Sequence, residues 1–245
     1  MIVKQAANVL DLLEMFAKRK RPATLTEVSD EMSWPRSSTF NLLGTLVERG
    51  FLYEPKARGG YYPTPRWLSL AQDISEAEPL PSYVHDLVKE LAAATGESVG
   101  VGAQAGTHCV FLDAVESESA IRYAAKIGKR IPIHATANGR AILSQLSKAE
   151  RTSVLKRCDY VAYHPSTPMS PEAVEAEIAA SVRRGWFQSL TEFTPDVVGV
   201  SVALPVGDRR LSLFVAGPAV RLREKIPATA AIMQEMVARY LRKGE

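Results

Sequence analysis

The sequence has little sulfur or imidazole to build chemistry with. Its 245 residues hold two cysteines, Cys109 and Cys158, each inside a locally regular segment. Two such thiols make neither a disulfide framework nor a metal site. Of the four histidines, His85, His108 and His164 have no Cys, Asp or Glu companions at ligand spacing, so no metal is implied and no cofactor is expected. No Gly-x-Ser-x-Gly elbow occurs. Ser189, Ser201 and Ser212 stand beside no His–Asp arrangement in sequence, although a triad assembled in space is left open. Cys109 would serve as a nucleophile only from within a cleft. Long apolar runs are missing too. The best candidate, residues 197–206, is about half the length of a membrane span and contains Gly, Ser and Pro. Asp11 and Glu14 interrupt the apolar residues of 9–16, so no signal-peptide core is present. Internal repeats and low-complexity tracts are absent. These absences exclude membrane, disulfide-scaffold and repeat classes and lead to the expectation of a cytoplasmic protein.

What is present is ordinary in bulk and uneven in detail. At 46% hydrophobic and 23% charged residues the composition is that of a globular protein, long enough for two small domains or one large one. Lys and Arg number 30 against 27 Asp and Glu, a net of +3. Residues 1–70 alone hold ten basic and seven acidic residues, so the whole excess sits in the first third of the chain. A basic excess confined to one unit suits a polyanionic partner.

That first third is organised around residues 25–62. A short helix is expected from Thr26, with Thr26 as its cap and Glu27 favouring its N-terminus; Leu25, Val28 and Met32 share one face. Ser33-Trp34-Pro35 breaks it. A second helix is expected over 35–49, since proline suits a first turn and Gly50 suits a C-terminal stop. Its inward series is Thr39, Leu42, Leu43 and Leu46. Arg36, Ser37, Ser38, Phe40 and Asn41 are left facing outward at its N-terminal end. A recognition helix presents that end to base edges: Arg pairs with phosphate or guanine, Asn with adenine, and Ser reaches either. The same residues would also suit a plain solvated face. Next, Phe51-Leu52-Tyr53 and Tyr61-Tyr62 flank a turn at Gly59-Gly60. This reads as a wing with Lys56 and Arg58 near its tip. Residues 6–16 form an amphipathic helix behind this unit. The basic run Lys18-Arg19-Lys20-Arg21 reads as a solvated loop, with phosphate contact as the alternative.

Residues 66–77 read as a helix with a broad apolar face, and Pro79-Leu80-Pro81 as a domain boundary. A helix over 82–95, capped by Ser82, precedes strand-like runs at 98–105, 109–115 and 120–125. Helices are expected at 138–146, 148–157, 171–184 and 226–243, and central strands at 197–206 and 210–215. This order of elements makes an α+β domain.

The run WPRSSTFNLLGTLVERGFL resembles the recognition segment of the IclR family of bacterial transcriptional regulators. That family's pattern is Pro-Lys/Arg-Ser-Thr, an aromatic or His, an Arg, Leu-Leu-x-Thr-Leu and Gly-Phe. Asn41 stands where the family has Arg, which implies an altered operator preference. The stretch from Gly128 through Pro132, His134, Gly139 and Leu143 resembles a second family motif, with Arg140 in place of Lys. The resemblance implies an α+β two-domain chain. Residues 1–64 would be a winged helix-turn-helix, 65–78 a linker helix that helps pair subunits, and 79–245 a GAF-like effector-binding and oligomerisation domain. It further implies a homodimer, or a pair of dimers, on double-stranded DNA, and a ligand site at Ala137, Asn138, Thr191, Ser201, Phe214 and Ala216. The expected effector is an aromatic or partly apolar small organic acid. Its carboxylate would sit at the helix start around Asn138 and Gly139, with its ring near Phe214. The competing reading is a small-molecule sensor or enzyme whose helix-turn-helix contacts protein. A third is a DNA-binding protein whose C-terminal domain only dimerises.

Overall fold

The computed structural model describes residues 3–56, 59–77 and 80–242. The chain separates into two compact units, Met1–Pro79 and Leu80–Glu245.

The first unit comprises α1 (Lys4–Arg19), α2 (Leu25–Met32), α3 (Arg36–Glu48), β1 (Leu52–Tyr53), β2 (Tyr62–Pro63) and α4 (Arg66–Ala77). Leu12, Met15 and Phe16 of α1 close with Val28, Leu43, Leu46 and Leu52 into one apolar core. Removing each such side chain from water contributes about 1.5–3 kcal/mol. The cap of α2 is Thr24 and not Thr26. Thr24 Oγ1 accepts from the Glu27 N–H at 3.3 Å, and Glu27 Oε2 accepts from the Thr24 N–H at 2.8 Å. That reciprocal pair needs Glu three residues after the cap, and only Thr24 has it. The second helix starts one residue later than expected, at Arg36, with Pro35 as its flanking residue. Leu42 is half-buried. Arg19 is drawn out of the basic run into the unit itself: it pairs with Glu27 and with Glu31 and donates to the Pro22 carbonyl. Lys18, Lys20 and Arg21 remain exposed.

The second unit runs α5 (Ser82–Thr95), β3 (Ser98–Ala105), β4 (His108–Val115), β5 (Arg130–Pro132), α6 (Ala137–Leu143), α7 (Lys148–Leu155), α8 (Pro171–Arg184), β6 (Phe187–Ser189), β7 (Val197–Val206), β8 (Arg209–Pro218), α9 (Ala219–Leu222) and α10 (Ile226–Leu241). Its six strands form an antiparallel sheet in the order β5-β4-β3-β8-β7-β6. Strand alternation makes its two faces different. Val99, Val101, Val198, Val200, Val202, Leu211, Leu213 and Val215 pack against α5 and α10 as the main core. Many of the intervening positions are small, including Ser98, Gly100, Gly102, Gly199, Ser201 and Ser212. They let α6 lie against the opposite face.

Residues 120–125 are not a strand. The outer edge of β4 is taken by Arg130–Pro132, and the carbonyls of Tyr123 and Ala124 are bonded by Ser98 Oγ and Lys129 Nζ instead. Ser82 is the first residue of α5, behind Pro81, and makes no side-chain cap. α6 is shorter than expected and is capped by Thr136, whose Oγ1 accepts from the Gly139 N–H at 3.2 Å. Arg58, Pro79 and Lys243 lie outside the described residues.

Candidate nucleic-acid interface and ligand cavity

The first site is the N-terminal half of α3. Thr39 is buried, its hydroxyl donating to the Pro35 carbonyl at 3.0 Å, and with Leu43 and Leu46 it anchors the helix. Helical spacing then turns the flanking residues outward. Arg36, Ser37, Ser38, Phe40 and Asn41 are all exposed, Phe40 by 58%. An exposed phenyl group beside two serines and an amide suits contact with base edges and thymine methyls. Arg36 Nη2 lies 3.4 Å from Thr26 Oγ1 at the surface. A groove beside α3 adds Lys4, Gln5 and Asn8 of α1 to Ser38 and Asn41, a neighbourhood that no sequence pattern signalled. Behind α3, β1 pairs with β2 through Leu52↔Pro63 and Tyr53↔Tyr62. Lys56 is exposed, and its carbonyl accepts from the Gly59 N–H at 2.8 Å in a tight turn. Gly60 carries a φ of +87°, and a Cβ there would lie 2.5 Å from the Ala23 backbone. Glycine thus lets the wing base bond Ala23.

The second site is a cavity of about 50 Å³ between α6 and the small-residue face of the sheet. Thr136, Ala137 and Asn138 supply one wall; Gly199, Phe214 and Ala216 supply the floor; Tyr123, Ile131, Ser189, Phe193, Thr194 and Val197 complete it. Gly199 and Ala216 are paired across β7 and β8, as are Ser201 and Phe214. Phe214 is fixed from below. Its ring stacks on Phe111 at 4.5 Å, and a side chain at Gly100 would meet it at 2.7 Å.

Of the residues expected to meet a ligand, the structure brings Ala137, Asn138, Phe214 and Ala216 to the cavity. Gly139, Thr191 and Ser201 are not among the residues lining it. Gly139 faces the Ile133 backbone. Ser201 is fully buried, its hydroxyl donating to the Leu213 carbonyl at 2.8 Å. The Thr191 N–H donates to Glu192 Oε2 at 2.9 Å. Ser189 and Gly199, each two residues earlier than the expected positions, stand in the lining instead. Tyr123, Phe193 and Thr194 come from irregular segments and carried no motif.

No charged side chain lines the cavity. Burial pushes both the Cys109 thiol and the Tyr123 hydroxyl up to about 12, so both stay neutral at physiological pH. A protonated, buried thiol is a poor nucleophile. Among the described residues no cluster of three His, Cys, Asp or Glu side chains could hold a metal. No described helix is long and apolar enough to cross a membrane.

His134, just before α6, is buried against Tyr160 with ring centroids 5.0 Å apart. Burial lowers its pKa despite a bond to the Val161 backbone. The unfolded chain's imidazole, near 6.5, therefore takes up a proton more readily than the native state does. Stability should fall as pH drops below about 6.5, because the unfolded state then binds more protons. Urea unfolding between pH 7.5 and 5.5 should show this. His134→Gln should flatten the slope, leaving the share from His108, whose pKa burial also lowers. An unchanged slope would contradict the assignment.

Residues 5–55 match the IclR helix-turn-helix domain, and residues 76–239 match the domain described as bacterial transcriptional regulator IclR C-terminal. The acetate operon repressor of Salmonella typhimurium is 29% identical over 186 residues, 75% of this chain and 68% of that protein. The transcriptional repressor IclR of Escherichia coli is 28% identical over 186 residues, with the same coverage. Among solved structures, an IclR homolog from Microbacterium hydrocarbonoxydans, complexed with 4-hydroxybenzoate, superposes with a TM-score of 0.76 at 20% identity. That match covers 96% of this chain and 97% of the other.

Proposed function

The chain belongs to the IclR family of transcriptional regulators, DNA-binding proteins and not enzymes, and from that premise we propose that it is a ligand-responsive regulator of one operon, acting in the cytoplasm. Arg36, Ser37, Ser38, Phe40 and Asn41 read base edges, while Lys56 of the wing contacts the backbone or minor groove. Two subunits place their α3 helices in successive major grooves of a pseudopalindrome. The linker segment, whose helix is α4 (Arg66–Ala77), is the pairing element. Its Leu68 and Ile74 are 62% and 66% exposed, an apolar surface that favours a partner. Two such dimers can pair further into a tetramer. The observation that carries this reading is the exposed, polar first turn of α3 on a buried apolar anchor.

The effector is a small organic acid of aromatic or partly apolar character, held in the cavity between α6 and the sheet. Three aromatic rings in the lining support this, together with the side-chain amide of Asn138 and the Ser189 hydroxyl. The related protein that carries 4-hydroxybenzoate supports the same chemical class. The N–H groups of Ala137 and Asn138, at the start of α6, have no intrahelical acceptor and would face the carboxylate. A benzene-sized guest needs on the order of 150 Å³. At about 50 Å³ the cavity takes an aromatic acid only if part of its lining gives way. Ligand then shifts operator occupancy by the difference in its affinity for the two arrangements. Calorimetric titration with aromatic acids and short oxoacids should show binding of the aromatic set. Tight binding of the short oxoacids alone would overturn the effector class and leave the DNA-binding reading standing.

A further inference from the structure

We propose that Glu192 is the positioning residue of the effector cavity, a buried carboxylate that holds the Ser189–Thr194 wall in place without lining the cavity itself. The inference rests on reading that cavity as the effector site. The segment between β6 and β7 has no regular structure, yet it carries Phe193 and Thr194 into the lining, next to Ser189 at the end of β6. An irregular segment needs other bonds to hold its shape, and here they converge on one side chain. Glu192 Oε2 accepts from the Ser189 hydroxyl at 3.0 Å, the Thr191 N–H at 2.9 Å and the Leu190 N–H. Oε1 faces Arg140 Nη2 of α6 at 3.4 Å. The Glu192 carbonyl accepts from Thr167 Oγ1 at 2.6 Å, and Phe193 meets Tyr163 edge-on with centroids 5.0 Å apart.

Arg140 is fully buried. Nη2 also donates to the Gln188 carbonyl at 2.5 Å, while Nε and Nη1 have no partner among the described residues. A buried guanidinium with so few partners depends heavily on its carboxylate. Burial alone would raise the pKa of Glu192, but the Arg140 charge and the backbone N–H groups hold it below the usual carboxylate range. The carboxylate therefore stays charged and the contact persists at neutral pH. One further consequence is chemical. The Ser189 proton is committed to Glu192, so Ser189 offers the cavity an acceptor, suited to a hydroxyl or N–H on the ligand.

Hydrogen–deuterium exchange of the full chain, with no ligand, tests the clamp directly. Glu192→Gln should speed exchange about tenfold or more at residues 190–194, a local opening, while α10 and β8 keep wild-type protection. Should that variant fail to fold, Arg140→Met against Arg140→Lys decides. Lysine keeps a cation beside Glu192 and should retain slow exchange; methionine should not. Titration with 4-hydroxybenzoate supplies a second readout, with weaker binding expected for Glu192→Gln at unchanged melting temperature. Unchanged exchange at 190–194 would overturn the proposal, as would equal 4-hydroxybenzoate affinity in wild type and variant. If wild type takes up no 4-hydroxybenzoate yet exchange responds as expected, that acid is ruled out as a ligand and the clamp stands.

Discussion

Alanine at Gly139 is expected to destabilise the C-terminal unit by about 3 kcal/mol or more, at or beyond the upper end of overpacking penalties. A Cβ built there lies 1.9 Å from the Ile133 carbonyl oxygen and 2.5 Å from Ile133 Cα. Both are backbone atoms that no rotamer change can move. Relief would require shifting either α6 or the segment carrying Ile133 and His134. The same contact sets where α6 begins, and so where Ala137 and Asn138 meet the cavity. Gly44 is the control of opposite sign. It sits within α3 with nothing inside 4 Å of its hypothetical Cβ, so Gly44→Ala should stabilise the N-terminal unit by about 0.5–1 kcal/mol. Urea midpoints of the two variants check both. A loss below about 1 kcal/mol for Gly139→Ala would mean the close approach is not enforced in solution.

Arg36→Ala and Asn41→Ala should each weaken specific DNA binding by roughly 5- to 150-fold, the 1–3 kcal/mol of a good base contact. Neither should change the fold, since both side chains are exposed and Arg36 makes only a long surface bond to Thr26. The two kinds of contact separate in the salt dependence. Loss of a base contact relaxes discrimination between sequences, whereas Lys56→Ala should weaken all sequences alike and reduce the salt slope by about one. Binding curves for each variant against specific and scrambled duplexes distinguish them. Two variants with wild-type affinity and discrimination would remove α3 as the reading element.

Regular periodicity made much of this molecule legible from its sequence. The 3.6-residue series through Thr39, Leu42, Leu43 and Leu46 found α3 and its outward side, although Leu42 is only half-buried. The β-branched run of 197–206 found β7 with both ends correct. The cap of α2 was misplaced at Thr26, because the reciprocal bond with Glu27 needs a residue three positions before it, and that residue is Thr24. The expected strand at 120–125 failed because composition says nothing of which edge is already paired. The cavity was hardest to read. Its lining comes from several separate elements, and Tyr123 and Phe193 lie in irregular segments whose positions depend on tertiary bonds. Ser189 and Gly199 were missed in favour of Thr191 and Ser201. Ser201 shares its strand face with Gly199, and alternation alone does not say which of the two a short helix will cover.

The central claim is that α3 reads a specific operator, and fluorescence anisotropy tests it most directly. The probe is the DNA upstream of the protein's own gene, at near-physiological salt with excess competitor DNA. Saturable binding that survives the competitor and weakens in Arg36→Ala and Asn41→Ala is the predicted result. Only weak, salt-sensitive binding of the non-specific kind, equal for wild type and both variants with and without an aromatic acid, would contradict it.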